Sequence, residues 1–176
     1  MFKLFLLSFC QSALTLLFTV SFFSKIFRFE SFPIIIDRFE ILPSKYNWPT
    51  AILIVTVEFV IILLLVLNNR FLSLGFTLAT ILLSVFSGIL TLTLTRDLNV
   101  SCGCFGANDD RITVYDLGRN LCFIVLGLIG LWISIGNSEG NVSSMSLLLP
   151  AFGSSTVFVL FFINISTLFR AFGIKS

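Results

Sequence analysis

The chain has 176 residues, of which 57% are hydrophobic and 11% are charged. A soluble domain carries about 25% charged residues, so this chain lacks the polar surface that a water-exposed globule needs. The net charge of +2 gives no support to nucleic-acid binding, and the absence of histidine excludes His-ligated haem, HExxH zinc sites and any imidazole base.

Five apolar runs approach the length of about 17–25 residues that a transmembrane helix requires. They predict an all-α integral membrane protein with spans near 4–23, 51–67, 71–95, 118–136 and 147–169. The first run follows Lys3 and so resembles a signal peptide, but it is long for one and no small-x-small cleavage site follows it. We therefore expect it to be retained as the first helix.

The segment 24–50 is neither a spanning run nor plainly soluble. Ser31 can cap a short helix that has Pro33 in its first turn. The apolar side chains at helical spacing are Phe32, Ile35, Ile36 and Phe39. This pattern predicts a short amphipathic helix, either at the membrane interface or folded over the bundle. Pro43 ends it, and Pro49 precedes the second span.

Glu58 lies in the middle of the second apolar run. A charged residue at that depth costs about 2.5–3.5 kcal/mol on insertion scales, which makes an intramembrane carboxyl a functional candidate. Two interpretations stay open. Glu58 relays protons or hydrogen-bonds a quinone head group, or it pairs with Lys25 or Arg119 as a structural contact.

Later in the chain, the short connection "NNR" (68–70) makes the second and third spans antiparallel neighbours. The polar loop after the third span is "RDLNVSCGCFGANDDRITV". Thr113 followed by Asp116 resembles a capping box, which predicts that the fourth span begins there. A polar turn, "NSEGNVSSMS", leads to a last helix that ends at Arg170.

The loop contains two cysteines, Cys102 and Cys104, separated by Gly103. Cysteines two residues apart can form a disulfide only when the chain bends, which glycine permits. A strained disulfide is easily reduced, so the spacing favours thiol–disulfide exchange. A structural clip, a metal half-site and inert packing are the alternatives, although tetrahedral zinc requires four ligands.

Arg119 and Asn120 lie one to two turns inside the fourth span, close to where the cysteine loop must return. A nearby guanidinium favours the reactive thiolate. Alternatively, Arg119 pairs with Asp116 or extends to the interface. The remaining cysteines, Cys10 and Cys122, lie in apolar helices and are expected to pack, with a resolving role for Cys122 as an alternative.

Together these features resemble the MauE family of methylamine-utilisation membrane proteins, within the broader DoxX-like group. The resemblance covers about residues 8–135. The matching elements are "FSKI" with Ser24 and Lys25, "ILP" with Leu42 and Pro43, Glu58, "CGCFG" from Cys102 to Gly106, and "RN" at Arg119 and Asn120.

The resemblance implies a four-helix transmembrane bundle of DoxX-like type, to which this chain adds a C-terminal helix. It also implies a role in maturing the disulfide-rich small subunit of methylamine dehydrogenase, alongside a thioredoxin-like partner. Candidate catalytic residues are then Cys102, Cys104, Arg119 and Glu58. The other positions of the family pattern are Lys25, Pro43, Gly103, Phe105, Gly106 and Asn120.

These residues favour a thiol–disulfide exchange protein that acts on a disulfide-containing client or a thioredoxin-like carrier, with a quinone as a possible electron acceptor. The main alternative is a non-enzymatic membrane assembly subunit whose cysteine pair is a structural clip. A small transporter is a third hypothesis, but no pair of interrupted helices supports it.

Two signals in the sequence disagree about the orientation of the protein in the cell membrane. With five spans, the cysteine loop shares one side with nine of the eleven basic residues: Lys25, Arg28, Arg38, Lys45, Arg96, Arg111, Arg119, Arg170 and Lys175. The positive-inside rule places that side in the cytoplasm, whereas disulfide formation requires the oxidising outer side. We expect the loop outside, because basic residues folded against the bundle give no topology signal and the family resemblance agrees.

Overall fold

The structure, a computed structural model, describes residues 2–38, 43–67, 71–95, 114–136, 150 and 152–160. Five α-helices follow one another: α1 (Phe2–Phe27), α2 (Phe32–Arg38), α3 (Asn47–Leu67), α4 (Leu72–Thr95) and α5 (Val114–Gly136). A 3-10 turn at Ser44–Tyr46 precedes α3, and residues 152–160 are also helical. No strand occurs in these described ranges.

Four helices are long and apolar enough to cross a membrane: α1, α3, α4 and Asp116–Gly136 of α5. The predicted all-α membrane protein is therefore confirmed. Of the predicted last span, 147–169, the structure describes residue 150 and residues 152–160, which are helical. The rest of that span lies outside the described residues.

Three helices are longer than their apolar runs; of these, α5 begins at Val114, next to the cap predicted at Thr113. α1 continues to Phe27, so Ser24 and Lys25 lie inside it and not after it. The extension includes Lys25 in the helix. Its side chain is buried in the bundle and does not face water. α3 begins at Asn47, with Pro49 in its first turn. Proline is tolerated there because the first N–H groups of a helix have no intrahelical partner.

The four long helices pack as a bundle. α4 and α5 share the largest interface, and α1 contacts both α3 and α5. Close approach of α4 and α5 depends on glycine: a Cβ at Gly130 would lie 2.5 Å from the Phe76 ring, and one at Gly127 would lie 2.5 Å from Thr80 Oγ1. Phe76 is fully buried, so it has no space into which to move.

The short helix α2 is folded over the bundle. Phe32 and Ile36 are buried and form a small apolar cluster with Ala51 of α3. The N–H of Ile35 donates to the carbonyl of Ser31 at 3.1 Å, which places Ser31 at the N-cap position. Of the two predicted placements, the structure shows packing on α3. Phe39 lies outside the described residues.

One end of the bundle is the place where the connection that contains both loop cysteines leaves α4 and enters α5. Because the spans alternate in direction, α1 and α4 end there, at Phe27 and Thr95, while α3 and α5 begin there, at Asn47 and Val114. We call it the Thr95 end. Residues 96–113, with both loop cysteines, connect α4 to α5 at this end, but they lie outside the described residues.

The substitution Gly130→Ala is expected to destabilise the bundle, because its methyl group would overlap the buried Phe76 ring. Overpacking of this kind costs about 1–3 kcal/mol. Thermal unfolding of the detergent-solubilised protein measures the effect. The matched control is Gly88→Ala on α4, where a Cβ meets nothing within 4 Å. Equal melting temperatures for the two variants would contradict the close approach of α4 and α5.

Candidate functional site

A buried ion pair joins α1 to α3. Lys25 Nζ contacts Glu58 Oε1 directly, and each side chain is only 1% exposed. Lys25 Nζ also donates to Ser21 Oγ at 2.9 Å, and the Ser21 hydroxyl donates to Glu58 Oε1 at 2.9 Å. Ser21 and Lys25 are one helical turn apart, so both face the same carboxylate. These three residues are called the Ser21–Lys25–Glu58 cluster below.

Aromatic rings from two further helices lie beside the ammonium group. Lys25 Nζ lies 4.9 Å from the ring centroid of Phe86 on α4 and 5.5 Å from that of Phe32 on α2. The negative face of an aromatic ring attracts a cation at this distance, more strongly where water is excluded. The cluster is therefore a contact point of α1, α2, α3 and α4.

The hydrogen bonds to the carboxylate are unevenly distributed. Glu58 Oε1 receives the contacts from Ser21 and Lys25. Glu58 Oε2 is buried and has no hydrogen-bond partner in the described part of the chain. The same holds for the hydroxyl of Ser87, in the same turn of α4 as Phe86. The site therefore combines a buried ion pair with an unused acceptor.

The structure decides which basic residue pairs with Glu58: of Lys25 and Arg119, it is Lys25 that makes the contact. Arg119 Nη2 lies 3.5 Å from Asp116 Oδ1, one turn earlier on α5. That i, i+3 pair is one of the alternatives that the sequence leaves open. A proton-relay or ligand-binding role of Glu58 stays a prediction, since the ion pair by itself tests neither.

Arg119 and Asn120 are both buried, each 7% exposed, near the beginning of α5. They lie at the Thr95 end, where residues 96–113 reach α5. The loop positions of the predicted site, Cys102, Gly103, Cys104, Phe105 and Gly106, lie outside the described residues. Their distance from Arg119 is therefore not described, and its action on a thiol stays a prediction.

The remaining predicted positions lie in the described part. Pro43 is exposed, and its carbonyl accepts the N–H of Tyr46 at 2.9 Å, which forms the turn before α3. Cys10 is a free thiol buried in the core, and Cys122 is a free, half-buried thiol on α5. Both locations fit the packing role expected for these cysteines. The described residues contain no group of three or more potential His, Cys, Asp or Glu metal ligands.

Burial also bears on the membrane orientation. Lys25 and Arg119 are both buried and both paired with carboxylates, so neither presents a free charge to water or lipid head groups. These are two of the nine basic residues assigned to the side of the Thr95 end. The other seven still outnumber Lys3 and Arg70 on the opposite side, so the charge signal is weakened but not reversed.

A family model described as methylamine utilisation protein MauE matches residues 3–133. The chain belongs to the MauE family. The match runs from α1 through nearly all of α5 and includes both the Ser21–Lys25–Glu58 cluster and the loop cysteines, whereas residues 152–160 lie beyond it. The chain is thus a multi-pass membrane protein of the MauE family. No curated protein and no solved structure matches it, and the broader DoxX-like grouping stays a prediction.

Sequence analysis of this MauE protein missed Ser21 and Phe86 as members of the cluster. Ser21 precedes Lys25 by four residues, so an i, i+4 search from the lysine on a longer α1 would have found it. Phe86 carries no comparable signal, because 22 phenylalanines occur in the chain. Only the packing of α4 against the other helices distinguishes it.

Replacing Lys25 alone by Met is expected to destabilise the protein strongly, by about 3–5 kcal/mol, because it leaves the Glu58 carboxylate buried without its partner. The double variant Lys25→Met/Glu58→Leu removes both charges and is expected to be close to wild type in stability. Thermal or denaturant unfolding of all four members of the cycle measures the coupling. Additive losses would show that the ion pair contributes nothing.

Proposed function

We propose that this MauE-family protein carries out thiol–disulfide exchange through Cys102 and Cys104, in support of disulfide formation in an exported partner. The observation that carries the proposal is a Cys-Gly-Cys sequence inside the family match, in the connection between α4 and α5. Such a pair gives a small disulfide ring that is readily opened. The family description supports a link to methylamine utilisation.

The proposed exchange has two balanced steps. A thiolate of the partner attacks one sulfur of the Cys102–Cys104 disulfide, which breaks that bond, forms a mixed disulfide and releases the other cysteine as a thiolate. A second thiolate of the partner then attacks the mixed disulfide. The partner leaves oxidised, and Cys102 and Cys104 hold the two electrons as a dithiol.

Two kinds of partner fit this chemistry. One is a thioredoxin-like carrier, and the other is the disulfide-rich client itself, for which the family resemblance implies the small subunit of methylamine dehydrogenase. Both partners act where disulfides persist, on the oxidising side of the cytoplasmic membrane. The proposed orientation therefore places the Thr95 end of the bundle outside the cell.

The other residues at this end have supporting roles in the proposal. Arg119 lies near the beginning of α5 and favours thiolate formation if a cysteine approaches it. The positive end of the α5 dipole acts in the same direction. Glu58 is about three turns away from this end along α3, so a direct contact with the partner is not part of the exchange as proposed.

The variant Cys104→Ser is expected to accumulate a mixed disulfide, because in the reverse of the exchange the Cys102 thiolate attacks a disulfide of the oxidised partner and no Cys104 thiolate is present to release that partner. Non-reducing gel electrophoresis and mass spectrometry of acid-quenched membranes detect it. The matched control is Cys10→Ser/Cys122→Ser, which keeps the loop pair and should behave as wild type. Full activity of Cys102→Ser/Cys104→Ser in the host pathway would favour the alternative, an assembly subunit with a structural clip.

The orientation is tested with a membrane-impermeant maleimide on intact cells after mild reduction. With Cys10 and Cys122 replaced by Ser, labelling of Cys102 and Cys104 is expected without permeabilising the membrane, because the proposed site faces the oxidising side. A cysteine introduced at Asn69, between α3 and α4, reports the opposite side. Labelling of position 69 together with protection of the loop pair would place the pair in the cytoplasm.

A further inference from the structure

The Ser21–Lys25–Glu58 cluster leaves one strong acceptor unused. Within the described residues, both contacts to the carboxylate go to Oε1, while the buried Oε2 accepts no hydrogen bond. A buried polar atom without a partner costs about 1–3 kcal/mol, and more when it is charged. The cluster therefore favours a guest that donates a hydrogen bond to Glu58 Oε2.

The charges and rings around the cluster restrict the chemistry of that guest. Lys25 and Glu58 neutralise each other, so a charged guest would remain uncompensated in a dry site. An ammonium has three N–H donors, and Lys25 uses two of them on Ser21 and Glu58. Phe32 and Phe86 lie beside it. A neutral ring with an oxygen that can accept or donate a hydrogen bond fits all of these groups.

The depth of the cluster indicates how such a guest arrives. Glu58 follows Asn47 by eleven residues, and Phe86 precedes Thr95 by nine. At 1.5 Å per residue these positions lie about 16 Å and 14 Å along their helices from the Thr95 end, whereas Lys25 lies about 3 Å from the end of α1. The neighbours Phe59 and Val60 are exposed on the outside of the bundle. α3 therefore faces outward at the level of Glu58, and a lipid-soluble guest would approach the cluster from the bilayer.

We propose that the Ser21–Lys25–Glu58 cluster binds the head group of a membrane quinone, which accepts the electrons that Cys102 and Cys104 release when they re-form their disulfide. The quinone carbonyl accepts a hydrogen bond from Lys25, and the hydroxyl of the reduced ring donates one to Glu58 Oε2. In the electron step, two thiols lose two electrons and two protons as the S–S bond forms. The two quinone carbonyl oxygens become hydroxyls.

The electron step rests on the proposed function, whereas binding of the ring does not. The chain length is compatible with the step. Seven residues lead from Thr95 to Cys102, and a segment of that length spans at most about 24 Å. This exceeds the depth of about 14 Å at which Phe86 lies. The covalent connection to α4 therefore permits Cys102 to approach a ring held beside Phe86.

The test uses the full-length protein in lipid nanodiscs and a photoreactive azido-quinone. Mass spectrometry is expected to find the label on peptides of α3 and α4 near Glu58 and Phe86, with competition by decyl-ubiquinone. In Lys25→Met/Glu58→Leu, quinone binding is expected to weaken about tenfold or more, because two hydrogen bonds to charged groups are lost. Circular dichroism and thermal unfolding establish that this variant is folded.

The matched control is Gln11→Met. Gln11 Nε2 donates to the carbonyl of Leu65 at 2.6 Å, so it joins the same two helices, α1 and α3, farther from the Thr95 end. Labelling in this control should equal that of the wild type. If Lys25→Met/Glu58→Leu does not fold, the positions labelled in the wild type decide whether the inference holds, because that experiment requires no substitution.

The variant Cys102→Ser/Cys104→Ser separates this inference from the proposed function. Its quinone labelling should match the wild type even though it cannot exchange disulfides. Label absent from the Glu58 and Phe86 peptides, label that decyl-ubiquinone does not displace, or undiminished binding in the folded Lys25→Met/Glu58→Leu variant would each overturn the inference. None of these outcomes would touch the thiol–disulfide proposal.

Discussion

A charge inside the hydrocarbon region must find a partner, and in this protein that requirement organises one half of the bundle. Glu58 is part of α3, the most apolar of the four membrane helices, so its carboxylate needs a cation from a neighbouring helix. Lys25 supplies it only because α1 continues to Phe27. The ion pair thus constrains both the length of α1 and its register against α3.

The surroundings of the pair extend this constraint to two further helices. Phe32 brings α2 over the ammonium, and Phe86 brings α4 beside it. Burial of Phe32 and Ile36 against Ala51 keeps α2 on the outside of α3. The apolar pattern of α2 would also allow this helix to lie in the membrane interface. Its contacts make it part of the bundle. Its position is accounted for by the apolar contacts with α3 together with the contact between Phe32 and the Lys25 ammonium.

Much of the architecture was predictable from the chain itself. The first four spans are recognisable as apolar runs because a membrane accepts few other sequences of that length, and the sequence predicts Lys25 as one of two possible partners of Glu58. The ends of α1 and α3 were not predicted, since they depend on a buried lysine and on a proline in a first turn. Contacts between helices, such as Phe86 with Lys25, depend on packing that no local pattern records.

One part of the candidate site rests on the sequence alone, and the other part rests on contacts seen in the structure. Spacing and composition indicate a redox role for Cys102 and Cys104, and the family match includes them, but their geometry lies outside the described residues. Lys25 and Glu58 are fixed by contacts. The two halves of the proposed chemistry therefore rest on different kinds of support, thiol exchange on sequence and quinone binding on structure.

The glycines of α5 have a consequence for how the molecule can move. Gly127 and Gly130 let α5 lie against Thr80 and Phe76 with no room for even one additional carbon. Two helices held that closely slide or separate only by losing contacts along their whole length. A sliding or hinging motion of α4 against α5 would therefore first have to break the contacts at Gly127 and Gly130.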